Sequence, residues 1–259
     1  MMKINNINVI GIDLSLKSTG ITVYDTKNNK LIFGNIISNK ISDKHRFKNI
    51  NYIKYSDKPL NFKYHKTINN GEYSEYEGNQ SLKIMMAVKS IMRFLSVYLK
   101  NDSNRHNVIV FESHLLPQIL GIKQFRGLSH LIALQHILRE NIILHCLKEN
   151  ISIEFCFFSP SEVKSLFTGN GRADKSKMVD IFIDEYDGKK LIPDILRDKE
   201  ETIMYLNDIV DSFALVTSYF NRLYNIVEKK IPVKTKITKR KKTEIKSTFK
   251  DSLINSIIN

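Results

Sequence analysis

The stretch Ile7-Asn8-Val9-Ile10-Gly11-Ile12-Asp13, carried through Leu14-Ser15-Leu16-Lys17-Ser18-Thr19-Gly20 into Ile21-Thr22-Val23-Tyr24-Asp25, decides how the rest of the chain is read. Runs rich in Ile and Val and broken by turn-forming residues read as strands. Three follow one another, over Ile7–Asp13, Ile21–Asp25 and Lys30–Ile37. The link Thr26-Lys27-Asn28-Asn29 is short and polar, which favours an antiparallel hairpin between the second and third. The first run ends on an acid, and a carboxylate at the end of a buried strand is expensive unless something positive meets it.

Working outward, Leu82, Met85, Val88, Met92, Leu95 and Leu99 recur at helical spacing, so the pattern predicts an amphipathic helix from Ser81 to Lys100. Asn107 to Phe111 reads as a fourth strand and Ile151 to Phe158 as a fifth. Between them Leu128 to Lys148 is apolar around much of its circumference, a helix that a sheet and a subunit partner together would cover. Pro160 suits the first residue of a helix through Phe167, Asp174 can cap a helix from Lys175 to Glu185, and a last helix is expected from about Asp208 to Ile226. This order is an α/β pattern with a five-stranded mixed sheet flanked by helices. Residues 1–226 are expected to form that domain, interrupted at 41–80 by an inserted β-rich arm. The arm holds seven aromatics (Phe47, Tyr52, Tyr55, Phe62, Tyr64, Tyr73, Tyr76) with basic residues between them. Edge strands that lengthen the sheet are the plainer account of it, and a functional arm the alternative.

Length and composition exclude several classes. A chain of 259 residues with 42% hydrophobic and 26% charged residues, 10 Gly and 5 Pro has ample core material and is neither collagenous nor wholly disordered. No apolar run approaches the roughly 18 residues that would cross a bilayer, and Asp13 interrupts the first apolar run, so a cytoplasmic protein without a signal peptide is expected. Cys146 and Cys156 fall in no zinc-binding spacing and are expected to be buried thiols. The net charge of +13 is uneven. From Lys229 to Lys250 there are ten basic residues, among them Lys239, Arg240, Lys241 and Lys242, against one acid, Glu244. Residues 227–259 therefore read as a basic, aperiodic and flexible tail that attracts phosphate irrespective of sequence.

Glu112 ends the apolar run Val108-Ile109-Val110-Phe111, as Asp13 ends the first, so two acids project from strand ends of one sheet. Asp208 and Asp211, three apart, share one face of the last helix, in its expected first turn. Each acid has an innocent reading when taken singly, a helix-start carboxylate or the beginning of a loop. Together they are four like charges that would raise one another's pKa values and destabilise the fold unless divalent cations met them. An all-oxygen set favours magnesium or manganese over zinc.

In this arrangement the sequence resembles the RuvC-type Holliday junction resolvases of the RNase H-like superfamily. The resemblance is carried by Gly11-Ile12-Asp13-Leu14-Ser15-Leu16-Lys17-Ser18-Thr19-Gly20, by Phe111-Glu112-Ser113, and by Ser159-Pro160-Ser161-Glu162-Val163-Lys164 with Gly169-Asn170-Gly171-Arg172-Ala173-Asp174-Lys175-Ser176. The fourth stretch is Asp208-Ile209-Val210-Asp211-Ser212-Phe213-Ala214-Leu215. It spans roughly residues 7–37 and 81–224. Leu14-Ser15 stands where the family commonly has Pro-Gly, Leu115 where bacterial members often place an aromatic, and Ser212 where alanine is usual. An enrichment in Asn, Ile and Lys adds the expectation of an AT-rich source such as a phage or other virus.

The resemblance implies an RNase H-like fold and magnesium-dependent hydrolysis of DNA phosphodiesters with two ions per site, Mn2+ able to substitute. Asp13 would bridge the ions, with Glu112 on one and Asp208 or Asp211 on the other. Lys175 would offset charge on the scissile phosphate, and Lys164, Arg172 and the basic tail would contact DNA. It further implies four-way junctions as substrate and a homodimer, which presents two sites to two symmetry-related strands. Relatives that cut flaps, other branched DNA or RNA-containing substrates would carry the same acids. An actin-like ATPase shares the first loop, but it needs a second glycine-rich phosphate loop, and no DxGG follows. A non-catalytic DNA-binding module gains nothing from acids that repel phosphate at its centre.

Overall fold

The computed structural model describes residues 6–38, 46–55, 71–102, 105–113, 122–193 and 199–230. Three strands open it, β1 (Ile7–Asp13), β2 (Ser18–Asp25) and β3 (Lys30–Ile37), paired antiparallel in sequence order. β4 (Ile50–Lys54) adds to the outer edge parallel to β3, and β5 (His106–Glu112) and β6 (Ile153–Phe158) continue the other side parallel to β1. The order is β4-β3-β2-β1-β5-β6. The fold is thus the mixed α/β arrangement expected, with six strands rather than five. The sixth comes from the inserted segment, whose Ile50 and Tyr52 face one core and Ile53 and Tyr55 the other, so it covers the edge that β3 would otherwise leave open. Of the rest of the expected arm, 46–49 form a turn leading into the strand, the part from Gly71 is helical rather than β, and the remainder lies outside the described residues.

Helices cover both faces. α1 (Gly71–Tyr98) and α2 (Ile122–Lys148) pack on one, burying Ile84, Ile91, Leu95, Leu134, Leu138 and Ile142 against Ile10, Ile12, Ile21 and Phe111. α1 starts ten residues before the expected Ser81. On the other face lie α3 (Pro160–Thr168), α4 (Lys175–Glu185), the single turn α5 (Gly188–Leu191) and the long α6 (Lys199–Lys230). Ser159 and Asp174 cap α3 and α4 through their side chains, as their residue types favour. α6 also starts earlier than expected, since neither Gly nor Pro interrupts Lys199 to Lys230. Asp208 and Asp211 therefore lie in its interior, where the dipole of a helix start gives them no support.

α6 lies unusually close to the sheet, and two glycines permit it. A Cβ on Gly20 would come within 1.9 Å of the backbone oxygen of Asp208, and one on Gly11 within 2.3 Å of that of Ser212. Between these contacts the buried hydroxyls of Thr22 and Ser212 stand 2.8 Å apart. Ser212 gives its only proton to the Ile209 carbonyl at 2.9 Å, so Thr22 is the donor to Ser212. The Ser212 hydroxyl thereby pins the helix to β2. At the opposite end of the sheet Asp25 pairs with Arg105. Burial would raise the Asp25 carboxyl, but hydrogen bonds from Arg105 and Asn28 and the arginine charge hold it below its ordinary value.

The two cysteines are free thiols, Cys146 buried and Cys156 half-buried. No helix among the described residues is long and apolar enough to cross a membrane.

Gly20→Ala should cost about 3 kcal/mol or more, because the obstructing atom is backbone and cannot swing away. Gly169→Ala, at a φ of 79° with open space around it, should cost only about 1 to 2 kcal/mol of left-handed strain. Urea denaturation of both variants checks the contrast.

Candidate metal centre

β1 and β5 run parallel in a register that pairs Ile12 with Phe111. Their next residues, Asp13 and Glu112, therefore sit side by side at the strand ends, on strands about 4.8 Å apart. Ile12 and Phe111 belong to the α1–α2 core. Side chains alternate along a strand, so the two acids point to the other face, beneath α6. Asp13 is also paired with Gly20 across β1–β2, and over Gly20 lies the backbone of Asp208. The same close approach that the glycines allow thus brings the two helix acids onto the two strand acids.

The electrostatics show the convergence. The Asp13 carboxyl is pushed well above its ordinary value, first by burial and then by Asp211, Asp208 and Glu112, with Lys175 opposing. Burial raises Glu112, as does Asp211, while Lys164 and Lys175 pull it down. Asp211 is pushed up to about 6, by burial and by Asp208, against Lys175 and Lys164. Asp208 is raised by burial and lowered by a hydrogen bond from Ser18 and by Lys175. All four acids singled out in the sequence, and both lysines, are felt in one place.

Lys175 is the first residue of α4, where the helix dipole disfavours a positive charge and no acid in the first turn compensates it. Its position is explained by the acids it faces rather than by its helix. Lys164 reaches the same centre half-buried from α3. Arg172 is exposed on the turn between α3 and α4, its backbone N–H bonded to the Asn170 side chain at 3.0 Å, and takes part in none of these shifts. Lys239, Arg240, Lys241, Lys242 and Leu115 lie outside the described residues.

Three polar residues that sequence reading passed over support the centre. Gln135, buried on α2, donates to the Glu112 backbone oxygen at 3.1 Å and steadies the end of β5. Ser18 helps hold the Asp208 carboxyl down, and its hydroxyl donates to the buried Asn35 side-chain oxygen at 2.9 Å. The signal for Asn35 was a polar residue at an inward position of Leu31-Ile32-Phe33-Gly34-Asn35-Ile36-Ile37, where alternation calls for an apolar one.

The donor chemistry fits hard divalent cations, four carboxylates with no nitrogen or sulfur among them. Among the described residues, however, no three His, Cys, Asp or Glu side chains stand close enough as placed to ligate a single ion.

No family model and no curated protein matches the sequence. Solved structures similar to it in shape include RuvC of Thermus thermophilus, 12% identical, covering 84% of this chain and 96% of that one at a TM-score of 0.37. The T. thermophilus protein in complex with a Holliday junction substrate is 8% identical, with coverage of 85% and 96% and a TM-score of 0.42. The yeast mitochondrial Holliday junction resolvase Ydc2 is 15% identical, with coverage of 85% and 80% and a TM-score of 0.43. Likeness at this level bears on neither substrate nor site residues.

Proposed function

We propose that this protein is a magnesium-dependent endodeoxyribonuclease that resolves four-way DNA junctions by paired nicks, in the service of recombination or repair. The observation that carries the reading is the convergence of Asp13, Glu112, Asp208 and Asp211 under α6 with Lys164 and Lys175 facing them. A fold that buries four mutually repelling carboxylates sacrifices stability at that point, and cation binding is the chemistry that recovers it. Two magnesium ions, or manganese in their place, would supply an activated water and stabilise the leaving 3′ oxygen. Asp13, central among the acids, would touch both ions, with Glu112 on one side and Asp208 and Asp211 on the other. Lys175 and Lys164 would hold the non-bridging oxygens of the scissile phosphate, and Arg172 and the basic tail neighbouring phosphates.

The junction as substrate rests on the sequence resemblance. Incubating the protein with labelled four-way junction, flap, RNA:DNA hybrid and linear duplex, with magnesium and with EDTA, tests it. Cutting of junctions in preference to the others supports the reading, and preference for a flap or hybrid replaces the substrate while keeping the chemistry.

Asp13→Asn should abolish cleavage and keep or improve junction binding, since it removes a metal ligand and a charge that repels phosphate. The acids also set a pH dependence without metal. Their folded pKa values are raised, so between the ordinary value of 3.8 and the folded value, about 6 for Asp211, the folded chain holds protons that the unfolded chain has released. Stability in EDTA should fall as pH rises through that window and stay low above it. Asp211→Asn should then be stabler than wild type at pH 7.5 by on the order of 3 kcal/mol, at about 1.36 kcal/mol per pKa unit. Urea melts at pH 5 and 7.5 read both effects, and a carboxylate with a merely structural role would give the opposite sign.

The protein is further proposed to act as a homodimer. α2 buries Leu134, Leu138 and Ile142 but exposes Leu144 and Leu147, by 58% and 73%, so apolar surface remains for a second copy. Sedimentation equilibrium should show a dimer, and Leu144→Glu with Leu147→Glu should convert it to monomer.

The tail is proposed to hold phosphates without selecting structure. Deleting residues 229–259 should weaken binding to junction and duplex alike and leave cleavage intact. If the tail neutralises about five phosphates, the deletion should also flatten the slope of log affinity against log salt by roughly 4 to 5 units. A salt titration on both DNAs checks this.

A further inference from the structure

The strand that closes the outer edge of the sheet brings cations with it and no acids. Residues 46–55, which hold β4, contain Arg46, Lys48 and Lys54. The acids of α1 are confined to its first seven residues, and from Gly78 to Asn101 the only charged residues are Lys83, Lys89, Arg93 and Lys100. The chain carries +13, nine of it between Lys229 and Lys250; these two segments supply seven more, so the remainder of the chain is acidic by three. Lys48, Lys54, Lys89 and Arg93 are all exposed, and none of the four meets a carboxylate among the described residues. Lys89 and Arg93, four apart on α1, are like charges that work against the helix unless an anion lies over them.

The two segments meet at a groove of about 550 Å³. Ile50, Ile53, Phe94 and Tyr98 line it together with Arg46, from the turn before β4, and Arg93 of α1, and no acid lines it. The turn and strand are tied to the body by their uncharged groups. Phe47 N–H donates to the Tyr52 hydroxyl at 3.3 Å, Asn49 to the Leu191 carbonyl at 2.8 Å and Asn51 to the Phe33 carbonyl at 3.0 Å, while the cations of the same segment stay exposed. β1, β3 and β4 run in one direction, so Lys54 ends β4 at the end of the sheet where Asp13 ends β1. Asp13 is paired with Gly20, Gly20 with Asn35 and Asn35 with Tyr52, which puts Tyr52 level with Asp13 at three strand spacings, about 14 Å. Duplex DNA advances that far in about four base pairs, at about 3.4 Å each.

We propose that the β4 edge and the neighbouring side of α1 form a second DNA-contacting surface, on which Lys48, Lys54, Lys89 and Arg93 hold backbone phosphates of a duplex arm a few base pairs from the phosphate being cut. This deepens the nuclease reading and rests on it for the DNA. An acidic protein would match the charge equally, but DNA held at the acids already lies within a few base pairs of the surface, so its second contact is intramolecular and sacrifices little further freedom. The contacts are to phosphate and position the arm without reading its sequence. Because the four cations are carried by a strand, its turn and a helix, they set the direction in which the arm leaves the site. β4 comes from the inserted segment that the sequence resemblance leaves out, so the surface belongs to this chain rather than to the resemblance.

The test is binding of the full-length protein to four-way junction and linear duplex in EDTA at several salt concentrations, with a thermal melt of each variant to establish folding. A neutral variant combines Lys48→Gln, Lys54→Gln, Lys89→Gln and Arg93→Gln, and a charge-keeping one combines Lys48→Arg, Lys54→Arg, Lys89→Arg and Arg93→Lys. A control combines Lys27→Gln, Lys148→Gln and Lys190→Gln, lysines that already meet acids. Cutting by the wild type with magnesium is measured in parallel. The neutral variant should flatten the slope of log affinity against log salt by about 3 to 4 units, at about 0.9 per phosphate contact, while the charge-keeping variant restores the slope and the control stays within about one unit of wild type. An unchanged slope in the neutral variant, a charge-keeping variant as weak as the neutral one, or a control that flattens the slope equally would overturn the proposal. Unchanged DNA binding, with polyglutamate bound by wild type and more weakly by the neutral variant, would overturn it in favour of an acidic protein. A wild type that binds DNA but cuts none with magnesium would refute the nuclease reading and leave the slope comparison standing. Cutting by the wild type, with the slope unchanged in the neutral variant, would refute the surface alone.

Discussion

The close seating of α6 on β1 and β2 is the constraint from which the rest follows. Gly11 and Gly20 lack the one atom that would collide with the backbone oxygens of Ser212 and Asp208, and the Thr22–Ser212 hydrogen bond draws the surfaces together between them. A helix held off by ordinary side chains would sit farther from the strands, and Asp208 and Asp211 would not reach the electrostatic range of Asp13 and Glu112. Helix position and acid cluster are therefore one feature. Side chains as small as a methyl group at two places would undo both.

That seating works against the charge distribution. Burial and mutual repulsion raise all four carboxylates, and Lys164 and Lys175 offset only part of the effect. The stability that offsets it comes from the two apolar layers. On one side Phe33, Phe182 and Phe213 meet at edge and tilted angles beneath α4 and α6, and on the other Ile10, Ile12, Ile21 and Phe111 close under α1 and α2. Such a core can carry a locally unfavourable site as long as the unfavourable groups are gathered where water or a cation can reach them. The strand ends of an open sheet are such a place.

Much of the scaffold was legible because its signals are local. The first hairpin, the caps Ser159 and Asp174, the helix from Lys175 to Glu185 and the strand ending at Glu112 each follow from periodicity or turn chemistry within a few residues. The starts of α1 and α6 were missed by about ten residues because their first turns carry no apolar stripe, and α1 moreover opens on Gly71 and includes Gly78, residues that ordinarily argue against a helix. The sixth strand was expected only as an edge strand somewhere in the inserted segment. Ile50-Asn51-Tyr52-Ile53-Lys54 looks like any half-exposed strand, and no short-range rule says which edge it joins.

The sequence by itself determined the fold class and singled out four acids and two lysines as candidates, since strand ends and helical spacing are written in the order of residues. Only the tertiary structure decided that Asp208 and Asp211 lie mid-helix rather than at a helix start, and that Gly20 rather than any capping residue admits Asp208 to the centre. The same holds for Ser18, Asn35 and Gln135, which support it. Those facts depend on which backbone approaches which across 188 residues of separation between Gly20 and Asp208. A close contact between distant segments leaves no periodic trace in the sequence, only a missing side chain on one partner and a polar residue where an apolar one would be expected.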